Sequence, residues 1–473
     1  MAGGPRAAAA AAGAAGRRGH PHAPAAAGRR PRRRCPLSRP AAQRPATFGQ
    51  VFAVREFRPL FGSYLLSTVG DELARVALTV SVYQRTDSAL LSAITFTISY
   101  LPWLVGGPVL SALADRLPRH RVLIGSDLVR AVLVALMAVP GLPLWVLLAL
   151  LLLVSVAAPP FESARSALMA DVLDGERYAV ATSLTGITQQ LSQLVGFLLG
   201  GALLVWLSPS GALLLDAATF VVSALWLARG LRRRPAPAVR EVRPSLWQDT
   251  VSGLRFVAGS SRLLAITGLV WTAAMFSTAP EGISAAWVDE LGGGPTGTGV
   301  LLAAYPAGTT LGGLVLARFV PPRLRDRLVT PLVLLSLGGV LAAGVVARLL
   351  GDGAAGLPLT VAVLFAGGLG AACTIPLNVA YVQSVPAELR GRAIGVAIAG
   401  LWGVQGLGAL LAGVAAQVWS PSTVVAGAGA LGLLVAARPL VVLARSGLTP
   451  AGRDAADPGP VPAPAEAEGR SGA

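Results

Sequence analysis

Apolar segments of roughly hydrocarbon length recur along this chain, and that recurrence leaves few folds open to it. An α-helix rises 1.5 Å per residue and needs about 20 apolar residues to cross a bilayer. Segments near that length lie at 59–83, 89–113, 121–139, 143–160, 181–206, 211–229, 263–287, 298–320, 328–349, 358–383, 393–418 and 423–444. With 54% hydrophobic and 13% charged residues, against about 25% charged in soluble domains, the chain has lipid as its natural solvent. Backbone polar groups in lipid need internal partners, so the segments are predicted to be helices. Barrel strands would show short alternating stretches, which are absent from the pattern. The predicted class is an all-α membrane protein with twelve transmembrane helices.

Arginine placement orients the spans. The 39 basic residues are all arginine. Arg116, Arg119 and Arg121 follow span 2. Arg229, Arg232, Arg233, Arg234, Arg240 and Arg243 follow span 6. Arg318, Arg323, Arg325 and Arg327 follow span 8, and Arg390 and Arg392 follow span 10. The intervening loops carry Arg85 and Arg348. Basic loops on alternate sides predict a multi-pass protein of the cell membrane with both termini cytoplasmic. The pattern also accounts for the net charge of +16 without nucleic acid as a partner. The expected partners are the bilayer, a small-molecule substrate and protons, with the chain acting as a monomer.

The chain divides into a basic tail (1–55), a first helical half (56–229), a connector (230–262), a second helical half (263–445) and a Pro/Ala/acidic tail (446–473), both tails expected to be disordered. No apolar run follows the N-terminal arginines before Leu60, so a cleavable signal peptide is not expected. Val51 and Val54 are candidate alternative starts. In the connector, Leu246, Trp247, Val251, Leu254 and Phe256 alternate with polar residues, as in an interfacial helix. The two halves repeat. At one constant offset, Glu176 aligns with Glu388, Gln193 with Gln405, Gly196 with Gly408 and Gly201 with Gly413. Parallel repeats of six spans predict two pseudo-symmetric six-helix bundles around a cavity.

Other chemistries find little support. Cys35 and Cys373 are far apart in sequence, and His20, His22 and His120 form no metal-ligand spacing. No nucleophile–base pair is visible, so no catalytic residue, metal or cofactor is expected. A chain without lysine cannot form an ATP-binding Gly-x-x-x-x-Gly-Lys loop.

The loop after span 2 reads Ser111-Ala-Leu-Ala-Asp115-Arg116-Leu-Pro118-Arg119-His120-Arg121. It resembles the Gly-x-x-x-Asp-Arg-x-Gly-Arg signature of the major facilitator superfamily, with Ser111 and Pro118 in place of the two glycines. Gly196 to Gly201 is similar to the span-5 segment of the family's antiporters, with Phe197 in place of proline. Gly70-Asp71, the stretch Phe161 to Leu168, and Glu388-Leu-Arg390-Gly391-Arg392 resemble the branch holding macrolide-efflux and siderophore-export proteins. The resemblance spans roughly residues 56–445. It implies a cytoplasmic gate at Asp115, Arg116 and Arg119.

Charges inside spans are the candidate working groups, because each costs about 2.5–3.5 kcal/mol near a helix centre. Asp71, Glu72 and Arg75 share one face of span 1, two acids around one base. Asp71 and Glu72 are the lead proton carriers or contacts for a cationic substrate, and Glu281 is second. Asp127 and Arg130 are expected in the cytoplasmic half of span 3 as part of the gate. Asp216 reads as structural, near the outer surface. Gly196, Gly200, Gly201, Gly408 and Gly413 are expected as helix-packing positions. Gln189, Gln190, Gln193, Asn378, Gln405, Trp103, Trp271, Tyr305 and Trp402 are weaker cavity candidates. Together these features predict a secondary transporter that exports a small amphipathic compound, drug-like or siderophore-like, by proton-coupled alternating access. The alternatives are facilitated uptake or uniport, and a non-transporting membrane scaffold or sensor.

Overall fold

A computed structural model describes residues 47–105, 117–234, 246–386 and 389–446. The predicted gate residues Asp115 and Arg116 lie outside the described residues, as do Glu388, most of both tails and the middle of the connector.

Every regular element among the described residues is helical. A short α1 (Phe48–Phe52) precedes α2 (Phe57–Thr86). Next come α3 (Ala89–Ile98), α4 (Leu101–Val105), α5 (Arg119–Met137), α6 (Leu144–Val156), α7 (Ala158–Val172), α8 (Gly175–Leu203) and α9 (Pro209–Gly230). The connector contains α10 (Leu246–Ala258). The second half holds α11 (Ser261–Gly282), α12 (Ser284–Glu290), α13 (Pro295–Phe319), α14 (Pro322–Leu350), α15 (Gly356–Gly370), α16 (Thr374–Ser384), α17 (Arg390–Ala415) and α18 (Pro421–Ser446). Local chemistry sets several ends. Ser88, Ser208 and Ser260 accept N-cap bonds from the backbones of Leu91, Gly211 and Leu263, and Asp87 ends α2 in the left-handed region at φ 49°.

Eight helices among the described residues are long and apolar enough to cross a membrane. They include α9, α11, α13, α17 and α18, with α6–α7 and α15–α16 each counted as one continuous stretch. Three predicted spans form helices but fail that composition for readable reasons. Asp71, Glu72 and Arg75 interrupt α2, Asp127 and Arg130 interrupt α5, and Thr, Ser and Gln populate α8. The segment from Ala89 to Trp103 is apolar but short. Side chains such as Phe319, Leu349 and Leu434 are more than 70% exposed. In water such a surface would aggregate; in lipid it is a solvated face.

Within the first half, α9 packs against both α2 and α5, and α2 packs against α8. Within the second half, α14 packs on α15 and α18, and α11 on α17. The halves meet along two seams, α8 with α13 and α3 with α17. Both seams lie towards the end of the molecule that carries Tyr83 and Asp289, whose side chains bond across the halves at 3.1 Å. In the first seam, a Cβ on Gly201 would fall 2.7 Å from the Cα of Gly299, so glycine is needed for the backbones to come this close. Val76, Val80, Phe197, Leu302 and Ala303 pack a small core beside it. In the second seam, Gly413 lies against Ala93 and Thr97 donates to the carbonyl of Gly406 at 3.1 Å. Towards the arginine-rich end of the same helices, Gly186, Gly391 and Gly395 have no described atom within 4 Å of a Cβ position. Among the described residues the halves are therefore closed at one end and parted at the other.

Helix α10 forms within the connector, as its apolar spacing predicts. It lies against α17, with Gly253 packed on the backbone of Arg392 and Val257 buried in the second-half core. At the other end of the connector, Arg234 and Arg232 pair with Glu56 at 2.7 and 3.3 Å.

Candidate functional site

A cavity of about 910 Å³ lies between the halves. Five carboxyl side chains line it, those of Asp71, Glu72, Glu162, Asp216 and Glu281, with two guanidinium groups, those of Arg75 and Arg130. The predicted lead residues Asp71, Glu72, Arg75 and Glu281 thus share one space, although Glu281 comes from the opposite half. The distribution is uneven. Among the described residues, the second half supplies one lining acid, Glu281. Its remaining contribution is neutral, including Tyr305, Asn378, Trp402 and Gln405.

Helix α2 supplies three of the charges, and the structure corrects how they pair. Arg75 binds Glu72 at 2.8 Å, and its guanidinium lies over the rings of Phe96 and Tyr100 at 5.4 and 5.7 Å. Asp71 instead faces Arg130 on α5 at 3.5 Å. The i,i+4 spacing made Arg75 available to both acids; a nearer cation on a neighbouring helix takes one of them. Glu72 is buried, with its Cβ close against Gly196 of α8, whereas the Asp71 side chain is 37% exposed.

Asp127 and Arg130 form the i,i+3 pair that their spacing allows. They sit mid-helix in α5 and are 0% and 3% exposed. Arg130 binds Asp127 at 2.6 Å and is held between the rings of Phe161 and Phe220, at 4.7 and 4.3 Å. The hydroxyl of Ser223 donates to the other oxygen of Asp127. Ion pairing, hydrogen bonding and two aromatic faces together offset the desolvation of this guanidinium. Arg119 pairs with Asp171 and donates to the carbonyl of Ala167. Both partners belong to α7, so these contacts stay within the first half.

Asp216 also differs from its sequence reading: it is 1% exposed and lines the cavity. Gly70 makes room for it, because any Cβ there would collide with its carboxyl. The predictions also omitted Glu162 and Arg165 as site residues, though both lie in the quoted Phe161–Leu168 stretch. Arg165 binds Glu162 at 2.7 Å and stacks over Tyr64 at 4.0 Å. Tyr64 in turn donates to Gln189 at 2.6 Å. Charge alternating with apolar residues just after a predicted span was the signal available.

The remaining candidates divide. Gln189, Gln190, Gln193, Asn378, Gln405, Trp103, Tyr305 and Trp402 line the cavity, and the indoles of Trp103 and Trp402 stack across the halves at 5.6 Å. Trp271 does not line it; its indole N–H donates to the carbonyl of Ala397 at 3.0 Å and ties α11 to α17. Gly196, Gly200, Gly201, Gly408 and Gly413 all lie at close helix contacts, Gly200 on Val76 and Gly408 on Met275. A space with more acids than bases, shut at one end, can hold a proton or an organic cation and expose it to one side at a time.

The chain is similar to known proteins in sequence and fold. The family model for the Major Facilitator Superfamily matches residues 60–288. The chain is 28% identical to the uncharacterized MFS-type transporter YfiS of Bacillus subtilis (strain 168), over 74% of this chain and 85% of that protein. It is 29% identical to the multidrug efflux pump Tap of Mycolicibacterium fortuitum, over 74% and 86%. It is 21% identical to macrolide efflux protein A of Streptococcus pyogenes, over 58% and 69%. Among solved structures, the peptide transporter POT in complex with sulfate superposes with a TM-score of 0.65 at 14% identity, over 86% of this chain and 98% of that one. A bacterial homologue of the human lysosomal transporter Spinster, inward-facing and unoccupied, gives 0.56 at 15% identity, over 83% and 95%. These two structures support the fold alone.

Proposed function

We propose that the chain is a transporter of the major facilitator superfamily, whose family model matches residues 60–288, and that it exports a small amphipathic organic compound in exchange for protons. The helices form twelve spans in two six-helix bundles, with 56–229 and 263–445 as the bundles and 230–262 as their cytoplasmic connector. The arginine-rich end faces the cytoplasm, so the parted end opens inward and the Tyr83–Asp289 end closes the outside. Alternating access then consists of rocking about the two seams, with Asp115, Arg116 and Arg119 closing the inner end in the opposite state.

The observation that carries this reading is the five-carboxyl cavity. Its acids outnumber its guanidinium groups, and Glu281 has no cation within ion-pair distance among the described residues. Asp71, open to the cavity, and Glu72 are the lead groups for proton exchange, with Glu281 second. A proton and a lipophilic cation compete naturally for such a site. The efflux names of two relatives, macrolide efflux protein A and the multidrug efflux pump Tap, support outward transport of a drug-like cargo.

Proteoliposomes holding the full chain test this directly. An imposed pH gradient should drive uptake of a lipophilic dye cation, with the cytoplasmic face outward, and collapsing the gradient should stop it. The D71N/E72Q double variant should remain folded and lose the gradient-driven part. Undiminished coupled transport in that variant would reject the assignment. Wild-type flux indifferent to the gradient would favour uniport.

A further inference from the structure

The junction around Arg130 has a member that the ion pairs leave out. Asp216, on α9, is buried to within 1% and has no guanidinium within ion-pair distance among the described residues. Helix α9 packs chiefly on α2 and α5. The charged groups that act on Asp216 from those helices are Asp71 on the first and Arg130 on the second, and Arg130 also carries Asp127. Glu72 turns away, towards Arg75 and α8. Arg130 is already committed to Asp127 at 2.6 Å and Asp71 at 3.5 Å. Three carboxyl groups therefore surround one cation. With all three ionised, the junction would bury two uncompensated negative charges, which is far less favourable than a neutral acid at one of the positions.

A second observation, independent of the charge count, sets Asp216 apart. The hydroxyl of Thr219 donates to the backbone carbonyl of Asp216 at 2.8 Å and, over a longer 3.3 Å, to its Oδ1. A threonine hydroxyl owns one hydrogen, and the shorter contact takes most of it. The carboxyl of Asp216 is thus left with a weak, shared donor, which does little to stabilise an ionised carboxylate. Asp127 shows the opposite arrangement. One of its oxygens accepts from Arg130 and the other from Ser223, as an ionised carboxylate does. Gly70 completes the geometry, since its missing side chain lets the Asp216 carboxyl rest against the backbone next to Asp71.

We propose that Asp216 stores the transported proton in this inward-parted state and that Asp71 passes it to and from the cavity. The O–H bond on Asp216 breaks, an O–H bond forms on the Asp71 carboxylate, and Asp71 then releases the proton to water in the cavity. Arg130, 3.5 Å from Asp71 and acting at longer range on Asp216, balances whichever is ionised. The step moves one proton and leaves the total charge of the junction unchanged until release. The proposal deepens the antiport reading and rests on it.

The experiment uses the full chain in proteoliposomes. Infrared difference spectra across a pH titration read the C=O stretch of a protonated carboxylic acid, and dye uptake reads coupling. In D216N the protonated-acid band should disappear. Gradient-driven uptake of the dye cation should fall at least about tenfold. A D216N protein that keeps the band, or that remains coupled beside a coupled wild type, overturns the proposal while leaving the antiport reading intact. A wild type that ignores the gradient sinks both. If D216N does not accumulate in the membrane, T219V serves instead: it removes the hydroxyl partner and should move the pH midpoint of the band, and an unmoved midpoint overturns the proposal.

Discussion

Arg130 faces Asp71 across the contact between α2 and α5 at 3.5 Å while holding Asp127 on its own helix at 2.6 Å. One buried guanidinium thus joins a carboxylate that faces the cavity to one that does not. Its removal should be felt as stability as well as function. Truncating one partner of a buried ion pair costs about 3–5 kcal/mol, whereas replacing both with apolar residues is often neutral. R130A should therefore lower the unfolding free energy in micelles by about that amount, and R130L/D127L should recover much of it. Equal stability of R130A and wild type in urea or thermal unfolding would contradict the buried junction.

Closure of the end that carries Tyr83 and Asp289, outward in the proposed orientation, depends on the contact between Gly201 and Gly299. G201L should part α8 from α13 and shift the protein towards an outward-open state. A cysteine introduced at Thr95 in the cavity, with Cys373 replaced by serine, should then react with a membrane-impermeant thiol reagent from the outside about tenfold faster than without G201L. No change in labelling would show that the seam does not control access.

Glu281 lines the cavity with no ion-pair partner among the described residues, so its loss should leave packing intact. E281Q is expected to unfold within about 0.5 kcal/mol of wild type, as for substitutions away from paired groups. Its KM for a dye cation should rise about tenfold, a difference of about 1.4 kcal/mol, with little change for a neutral substrate. Equal effects on charged and neutral substrates would assign it a different role.

The Tyr83–Asp289 bond crosses the halves at the outer end and is exposed, so its share is modest. Net hydrogen-bond contributions run to about 0.5–1.5 kcal/mol. Y83F should shift the inward–outward population by roughly two- to tenfold, read by spin-label distances between the halves. An unchanged distance distribution would mean that the seams alone hold the outer end closed.

The sequence made the helices legible because hydrocarbon length is a strong signal, and it singled out Asp71, Glu72, Arg75 and Glu281 because charge in lipid is conspicuous. It did not reveal which cation would pair with Asp71. Helical spacing fixes neighbours on one helix, whereas Arg130 reaches Asp71 from another. Asp216 was misplaced for a related reason. Helix α9 is apolar on both the lipid face and the protein face, so no periodicity marks which side turns inward. Only the contact with Gly70, one residue before Asp71, shows that Asp216 points into the cavity wall.

The lopsided allotment of carboxyl groups separates two tasks that one cavity must perform. Under the proposed exchange for protons, energy conversion would draw mainly on residues before the connector, while much of the neutral wall that a cargo would touch comes after it. Grafting the C-terminal bundle of a relative onto this N-terminal one should therefore exchange the cargo and preserve the drive, and drift in the second bundle can widen the spectrum of compounds without disturbing the engine.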